Sequence, residues 1–111
     1  MDAKPVAENY CVSEQIEIDD VPGIAAAGIE TVICNRPDHE EPGQPLAADI
    51  ATECEKNGIS FHYLPFQGPN LTADIVMSFR EILDSSDKPV LGYCKSGQRS
   101  AFLHAAAYKA S

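Results

Sequence analysis

The chain has 111 residues, 44% of them apolar and 23% charged, a mixture that excludes a disordered or collagen-like polymer. At this length one domain can bury roughly 65% of its unfolded surface without staples. Against 8 basic residues stand 17 acidic ones, a formal charge of −9 that repels phosphate backbones and anionic lipid, so nucleic acid and membrane partners are not expected.

No apolar run approaches the roughly 18 residues of a membrane span. The opening Met1-Asp2-Ala3-Lys4-Pro5-Val6-Ala7-Glu8 lacks the apolar core of a signal peptide, so a cytoplasmic location is expected. In chain order, Tyr10 to Ile18 reads as a first strand. Asp19 and Asp20 then cap a short helix through Ala27, with Gly28 as its terminator. Ile29 to Asn35 reads as a buried strand, and Arg36 to Pro45, with three prolines and a glycine, as a loop. Leu46, Ile50 and Cys54 recur at helical spacing up to Asn57-Gly58. Ile59 to Pro65 is a strand and Phe66 to Leu71 a loop. Thr72 caps a helix whose apolar face is Ile75, Val76, Phe79, Ile82 and Leu83. Pro89 to Tyr93 is the last strand, and Arg99 to Lys109 an alanine-rich helix apolar around much of its circumference, hence expected to be largely buried. Strands alternating with helices predict an α/β domain over residues 1–111, with a mainly parallel sheet of four or five strands flanked by helices.

The four cysteines, Cys11, Cys34, Cys54 and Cys94, show no Cys-x-x-Cys pair. With His39, His62 and His104 scattered, neither a zinc site nor any other metal or cofactor is expected, and the thiols read as reduced. One of them stands apart. In Tyr93-Cys94-Lys95-Ser96-Gly97-Gln98-Arg99-Ser100 a strand runs through a tight loop into a helix. Unpaired amides and the positive helix end stabilise a thiolate at Cys94. The amides of Lys95, Ser96, Gly97 and Gln98 form a cradle for an anionic group, and Arg99 adds a planar fork suited to oxyanions. Ser100 is placed to donate to the Cys94 sulfur. Cys94 and Arg99 are therefore the expected catalytic pair, with residues 95–98 and Ser100 binding substrate.

Only four residues separate Cys94 from Arg99. That Cys-x4-Arg spacing resembles the active-site loop of rhodanese-type sulfurtransferases, where a short ring of amides surrounds a cysteine persulfide; cysteine-dependent phosphatases carry Cys-x5-Arg around a tetrahedral phosphate. Outside this loop the chain lacks the rhodanese Asp-x-Arg turn and Gly-His-Ile-Pro-Gly-Ala segment. Together with Thr31-Val32-Ile33-Cys34-Asn35-Arg36-Pro37-Asp38-His39-Glu40-Glu41-Pro42-Gly43-Gln44-Pro45, the Cys94 segment resembles the beta-lactamase-hydrolase-like, phosphatase-like domain family. The likeness runs from about Tyr10 to Tyr108, with His39 standing where the family pattern has glycine. It implies a bacterial domain with a dual-specificity-phosphatase-like fold, of a kind found fused to persulfide dioxygenase or sulfide:quinone oxidoreductase modules. The sequence stops within its expected last helix, as a piece of such a fusion would.

A phosphatase of that fold needs a general acid, usually an aspartate on a loop ahead of the nucleophile, and losing one costs about 10²–10⁴-fold in rate. The corresponding stretch, Tyr63 to Asn70, holds no carboxylate, and Asp74 falls in the first turn of a helix. Sulfane-sulfur transfer makes no such demand. The main expectation is therefore a sulfurtransferase: Cys94 takes sulfur from thiosulfate or a persulfide and passes it to a thiol acceptor such as glutathione. The alternatives are a phosphate monoester hydrolase working through phosphocysteine, and a non-catalytic persulfide relay. The loop after the Ile29–Asn35 strand should reach the same sheet edge, bringing Arg36 and Asp38 to the substrate. A plainer reading pairs Arg36 with Asp38, while Asp38, Glu40 or Glu41 remains available as the acid of the phosphatase alternative. Cys34 is either a resolving thiol or core; Cys11, Cys54, His62 and His104 read as core; Lys95 faces solvent.

Overall fold

The computed structural model of the chain describes residues 2–108. Five strands form one sheet: β1 (Lys4–Ala7), β2 (Tyr10–Ser13), β3 (Thr31–Cys34), β4 (Ser60–Tyr63) and β5 (Val90–Tyr93). Their spatial order is β1-β2-β5-β3-β4, antiparallel between β1 and β2 and parallel elsewhere. Beside them lie α1 (Val21–Ala26), α2 (Ala47–Lys56), α3 (Ala73–Ser85) and α4 (Gln98–Ala107). The sheet is thus the mainly parallel, helix-flanked one expected from the alternation. Among the described residues no helix is long and apolar enough to cross a membrane, and no cluster of His, Cys, Asp or Glu is placed to hold a metal ion.

Alternation along the strands sends successive side chains to opposite faces. Val32, Cys34 and Leu91 join Ile16, Ile24 and Ile50 in the core under α1 and α2. Ile33 and Val90 face the other way, with Tyr10, Phe79, Leu83 and Leu103 under α3 and α4. Both helix terminators fall where expected: Gly28 (φ +90°) after α1 and Gly58 (φ +74°) after α2 hold left-handed backbone that side-chain-bearing residues resist.

Three expectations need correction. The strand expected over Tyr10–Ile18 ends at Ser13, since the Gln15 amide turns to the Lys95 carbonyl (3.3 Å) and a 3₁₀ turn occupies Ile18–Asp20. Strand β1 was not foreseen: Lys4-Pro5-Val6-Ala7 has no apolar alternation, and its proline is tolerated because the strand is an edge. Helix α4 is not largely buried, for only Ser100, Leu103 and Ala107 are covered and Phe102 is 53% exposed. Its alanines look apolar on every side but are small enough to sit in water. Lys109, its expected end, lies outside the described residues.

Candidate active site

The parallel strands bring their carboxyl ends together. Tyr93 pairs with Ser13 on one side and Cys34 on the other, and Cys34 pairs with Tyr63. The segments after β2, β3, β4 and β5 therefore meet at one edge, where open parallel sheets bind ligands. β5, which leads into Cys94, is the central strand.

Gly92 permits the close approach that positions this edge. A side chain there would collide with the Tyr10 ring and hydroxyl; with hydrogen in its place, Tyr10 crosses β5 and donates its hydroxyl to the Ser100 carbonyl (3.0 Å). That bond fixes the start of α4. At Gly97 the backbone turns through φ +95°, leaving its amide to donate to the Cys94 sulfur at 3.1 Å. The sulfur lies inside the loop, and Cys94 is only 1% exposed. Burial pushes the thiol up, but the amides of Ser100, Ser96 and Gly97 together with the Ser100 hydroxyl outweigh it, so its pKa falls below the ordinary cysteine value. That hydroxyl has one proton, and in the structure it donates it to Asn35 Oδ1 (2.8 Å). The Ser100 amide, more than the expected hydroxyl bond, ties this residue to the sulfur.

Arg99 stands beside the thiolate, and both its terminal nitrogens grip Glu40: Nη1 to Oε2 at 2.8 Å and Nη2 to Oε1 at 2.9 Å. Nη1 also donates to the Phe66 carbonyl (3.2 Å). Arg36, expected at the substrate, is buried instead. It donates from Nε to Glu40 (2.9 Å) and from Nη1 to Gln15 (3.0 Å), while its Nη2 lies 3.3 Å from Glu41 as an ion pair without hydrogen-bond geometry. Hydrogen bonding to Arg99 and then to Arg36, against some burial, pulls Glu40 down to about 2. Glu41 pairs with Lys95, which is exposed as expected.

Asp38 does none of the three jobs expected of it. It does not pair with Arg36; its Oδ1 accepts the Ala47 amide (2.8 Å) at the start of α2, and its own amide donates to the Tyr63 hydroxyl (3.0 Å). His39 takes φ +68°, a left-handed conformation that glycine holds more easily than any residue with a side chain. A hollow of about 540 Å³ is lined by His39, Glu40, Glu41, Gln67, Lys95 and Arg99. Next to it Gly68, Gln98 and Phe102 form an apolar shelf that shares Arg99. The structure therefore joins Cys94, Ser96, Gly97, Arg99 and the Ser100 amide around one sulfur. It sets Lys95 and Gln98 at the rim, Arg36 behind Glu40, and Asp38 away from the reaction. All four cysteines are free thiols. Cys34 is buried and donates to the Arg36 carbonyl (3.3 Å), and burial raises its pKa, as suits a core residue.

Glu40 was only one of three candidate acids in the sequence, and in a loop its spacing from Arg36 gave no signal of pairing.

The family model for the beta-lactamase hydrolase-like protein, phosphatase-like domain matches residues 2–110. A beta-lactamase hydrolase-like protein of Agrobacterium fabrum is 31% identical over 104 residues, covering 94% of this chain and 24% of its own length. A namesake from Xylella fastidiosa (strain Temecula1) is 29% identical over 100 residues, covering 90% and 23%. The chain thus spans about a quarter of the curated relatives it matches. Among solved structures, a candidate phosphatase of Neisseria meningitidis Z2491 superposes with TM-score 0.81 at 37% identity, over 90% of this chain and 71% of that one. The core catalytic domain of the PP-IP phosphatase SIW14 from S. cerevisiae gives 0.69 at 16% identity, over 91% and 60%, a likeness of fold alone. These likenesses establish the cysteine-phosphatase-like fold, and they favour the hydrolase alternative over the sulfur-transfer expectation.

Proposed function

The chain belongs to the phosphatase-like domain family of beta-lactamase hydrolase-like proteins, and from that premise we propose that it is a cysteine-nucleophile enzyme moving sulfane sulfur through a Cys94 persulfide. The observation that carries this reading is the commitment of every carboxylate in the loop after β3. Glu40 is clamped between two arginines, Asp38 caps α2, and Glu41 pairs with Lys95. None is placed to protonate an alkoxide leaving group. Sulfur transfer needs no such proton. The Cys94 thiolate attacks the outer sulfur of a persulfide or of thiosulfate, a new S–S bond forms, the old one breaks, and a thiolate or sulfite leaves with the electron pair. The persulfide then sits among the amides of Ser96, Gly97 and Ser100 until an acceptor thiolate takes the outer sulfur.

The second reading is phosphate monoester hydrolysis. The 37% identical Neisseria relative favours it, and His39 at the edge of the hollow is its available proton donor. Treatment with thiosulfate or an organic persulfide, followed by intact-protein mass spectrometry, separates the two. Sulfur transfer predicts a gain of one sulfur on Cys94, absent in Cys94→Ser and discharged by cyanide as thiocyanate. No gain, with Cys94-dependent turnover of an aryl phosphate, would decide for the hydrolase. Persulfide formation without repeated turnover would mark a relay that works beside a partner such as a persulfide dioxygenase or sulfide oxidoreductase.

A further inference from the structure

In a cysteine-dependent oxyanion site the arginine fork is the group that receives the substrate's negative oxygens. Here one edge of the fork is filled from within. Both terminal nitrogens of Arg99 are on the two oxygens of Glu40, and the same carboxylate is held from behind by Nε of the buried Arg36. A substrate that takes the Nη1–Nη2 edge must first displace Glu40, and one that takes the Nε edge meets the Glu40 charge beside it. The displaced carboxylate then stays close by, since Arg36 is anchored by Gln15. Beyond the fork, the Cys94 thiolate, Glu40 and Glu41 oppose Arg36, Arg99 and Lys95, so the cluster offers no surplus positive charge. What is left around the sulfur is a ring of amides and one edge of a guanidinium whose charge Glu40 already balances, which suits a small, weakly charged atom better than a group carrying two negative charges.

We propose that Glu40 sets the charge selectivity of the Cys94 site, turning it away from dianions such as thiosulfate or a phosphate monoester and towards a neutral or singly charged reacting end, such as the terminal sulfur of an organic persulfide. The choice of persulfide rests on the sulfur-transfer reading, whereas the charge selectivity does not. In the favoured step the Cys94 thiolate bonds to the outer sulfur of R–S–SH and the persulfide's own S–S bond breaks. R–S⁻ departs with the electron pair, and the proton stays on the transferred sulfur. One negative charge is present before and after, so the site never has to hold a second.

Iodoacetate and iodoacetamide test this directly, because both alkylate a thiolate with loss of iodide and differ by one charge. Their rates on Cys94 in the whole chain, each divided by the rate on a small free thiol, give a selectivity ratio independent of turnover. The wild type should favour iodoacetamide. Glu40→Gln should shift the ratio towards iodoacetate by about tenfold or more, since one unit charge within about 12 Å at an effective dielectric near 20 is worth at least that factor. The chain's overall charge of −9 hardly changes, which isolates the local contribution. Glu40→Asp keeps the charge and should stay on the wild-type side. A wild type that prefers iodoacetate, or a ratio unmoved in Glu40→Gln, overturns the proposal; should Glu40→Gln fail to fold, the wild-type ratio alone decides. A shifted ratio with no sulfur gain on Cys94 from any persulfide would retain the charge selectivity and reject the donor, so the two failures are distinguishable.

Discussion

At Cys94, burial and hydrogen bonding pull the thiol in opposite directions. Burial disfavours the charged form, and the amides of Ser100, Ser96 and Gly97 favour it more strongly. The net lowering means a larger thiolate fraction at neutral pH than a free cysteine, whose pKa is about 8.5, can offer. The rate of Cys94 alkylation by iodoacetamide should therefore rise with pH to a plateau whose midpoint lies below that of a free thiol. Gly97→Ala should move the midpoint upward, because the left-handed backbone at φ +95° resists a Cβ and the amide swings off the sulfur. A wild-type midpoint at or above the free-thiol value would show that the amide ring does not stabilise the anion. Tyr93 is a different case one residue earlier. Its hydroxyl is buried beside the Cys34 thiol without hydrogen-bond geometry, and burial is the first cause of its strongly raised pKa. It holds volume under the site and takes no part in the proton inventory.

Among the elements, α2 begins in an unusual way. Its N-cap position is Leu46, which has no side-chain oxygen to offer. The Ala47 amide is instead met by Asp38 from the loop after β3, so one carboxylate both starts the helix and pins the loop that carries Glu40. Asp38→Ala should cost about 1 kcal/mol, the usual worth of a lost cap, measured as a lowered denaturation midpoint in urea. It should also speed Cys94 alkylation by loosening the Glu40 loop. Asp38→Asn, which keeps an oxygen, should restore most of the stability; equal losses in both variants would mean that the bond contributes little. The contrast with α3 shows what was legible beforehand. There the cap is local: Thr72 accepts the Ile75 amide (3.2 Å), and the expected face buries Phe79 and Leu83, because both depend only on spacing along one helix. The Cys94 loop was legible for the same reason, since its residues are neighbours in the chain. The Asp38 cap and the Glu40 clamp were not. Which carboxylate meets which cation is decided by the path of the loop, including the left-handed turn at His39, and spacing carries no record of that path. Helix α4 misled for a third reason: alanine is compatible with burial and with exposure alike, so composition could not show which side faces water.

For the whole molecule, the Glu40 clamp joins parts of the chain that are far apart in sequence. It ties the loop after β3 to α4 across 59 positions and holds Arg36 in the same contact. The fold supplies only the common edge; the clamp closes it. Because Glu40 is held near 2 in the folded chain and lies near the ordinary glutamate value of about 4.3 when unfolded, the sign of its pH dependence is fixed. The unfolded chain binds the proton more tightly, so the clamp's stabilisation is fully present above about pH 5 and fades as pH falls towards 2. A shift of that size corresponds to an upper bound of about 3 kcal/mol, reduced by solvent at a carboxylate that is not fully buried. Urea unfolding of wild type and Glu40→Gln at pH 7 and pH 3 measures it. The wild type should lead clearly at pH 7, and the gap should narrow by about half at pH 3, where Glu40 of the unfolded chain takes up a proton that the folded clamp still mostly excludes. Loss of other carboxylate contributions in acid lowers both proteins alike, and so cancels in the difference. A gap that stays constant from pH 7 to pH 3 would mean that Glu40 stabilises the chain by shape alone, and a reversed gap would mean that its charge is a burden the fold carries for the sake of the site.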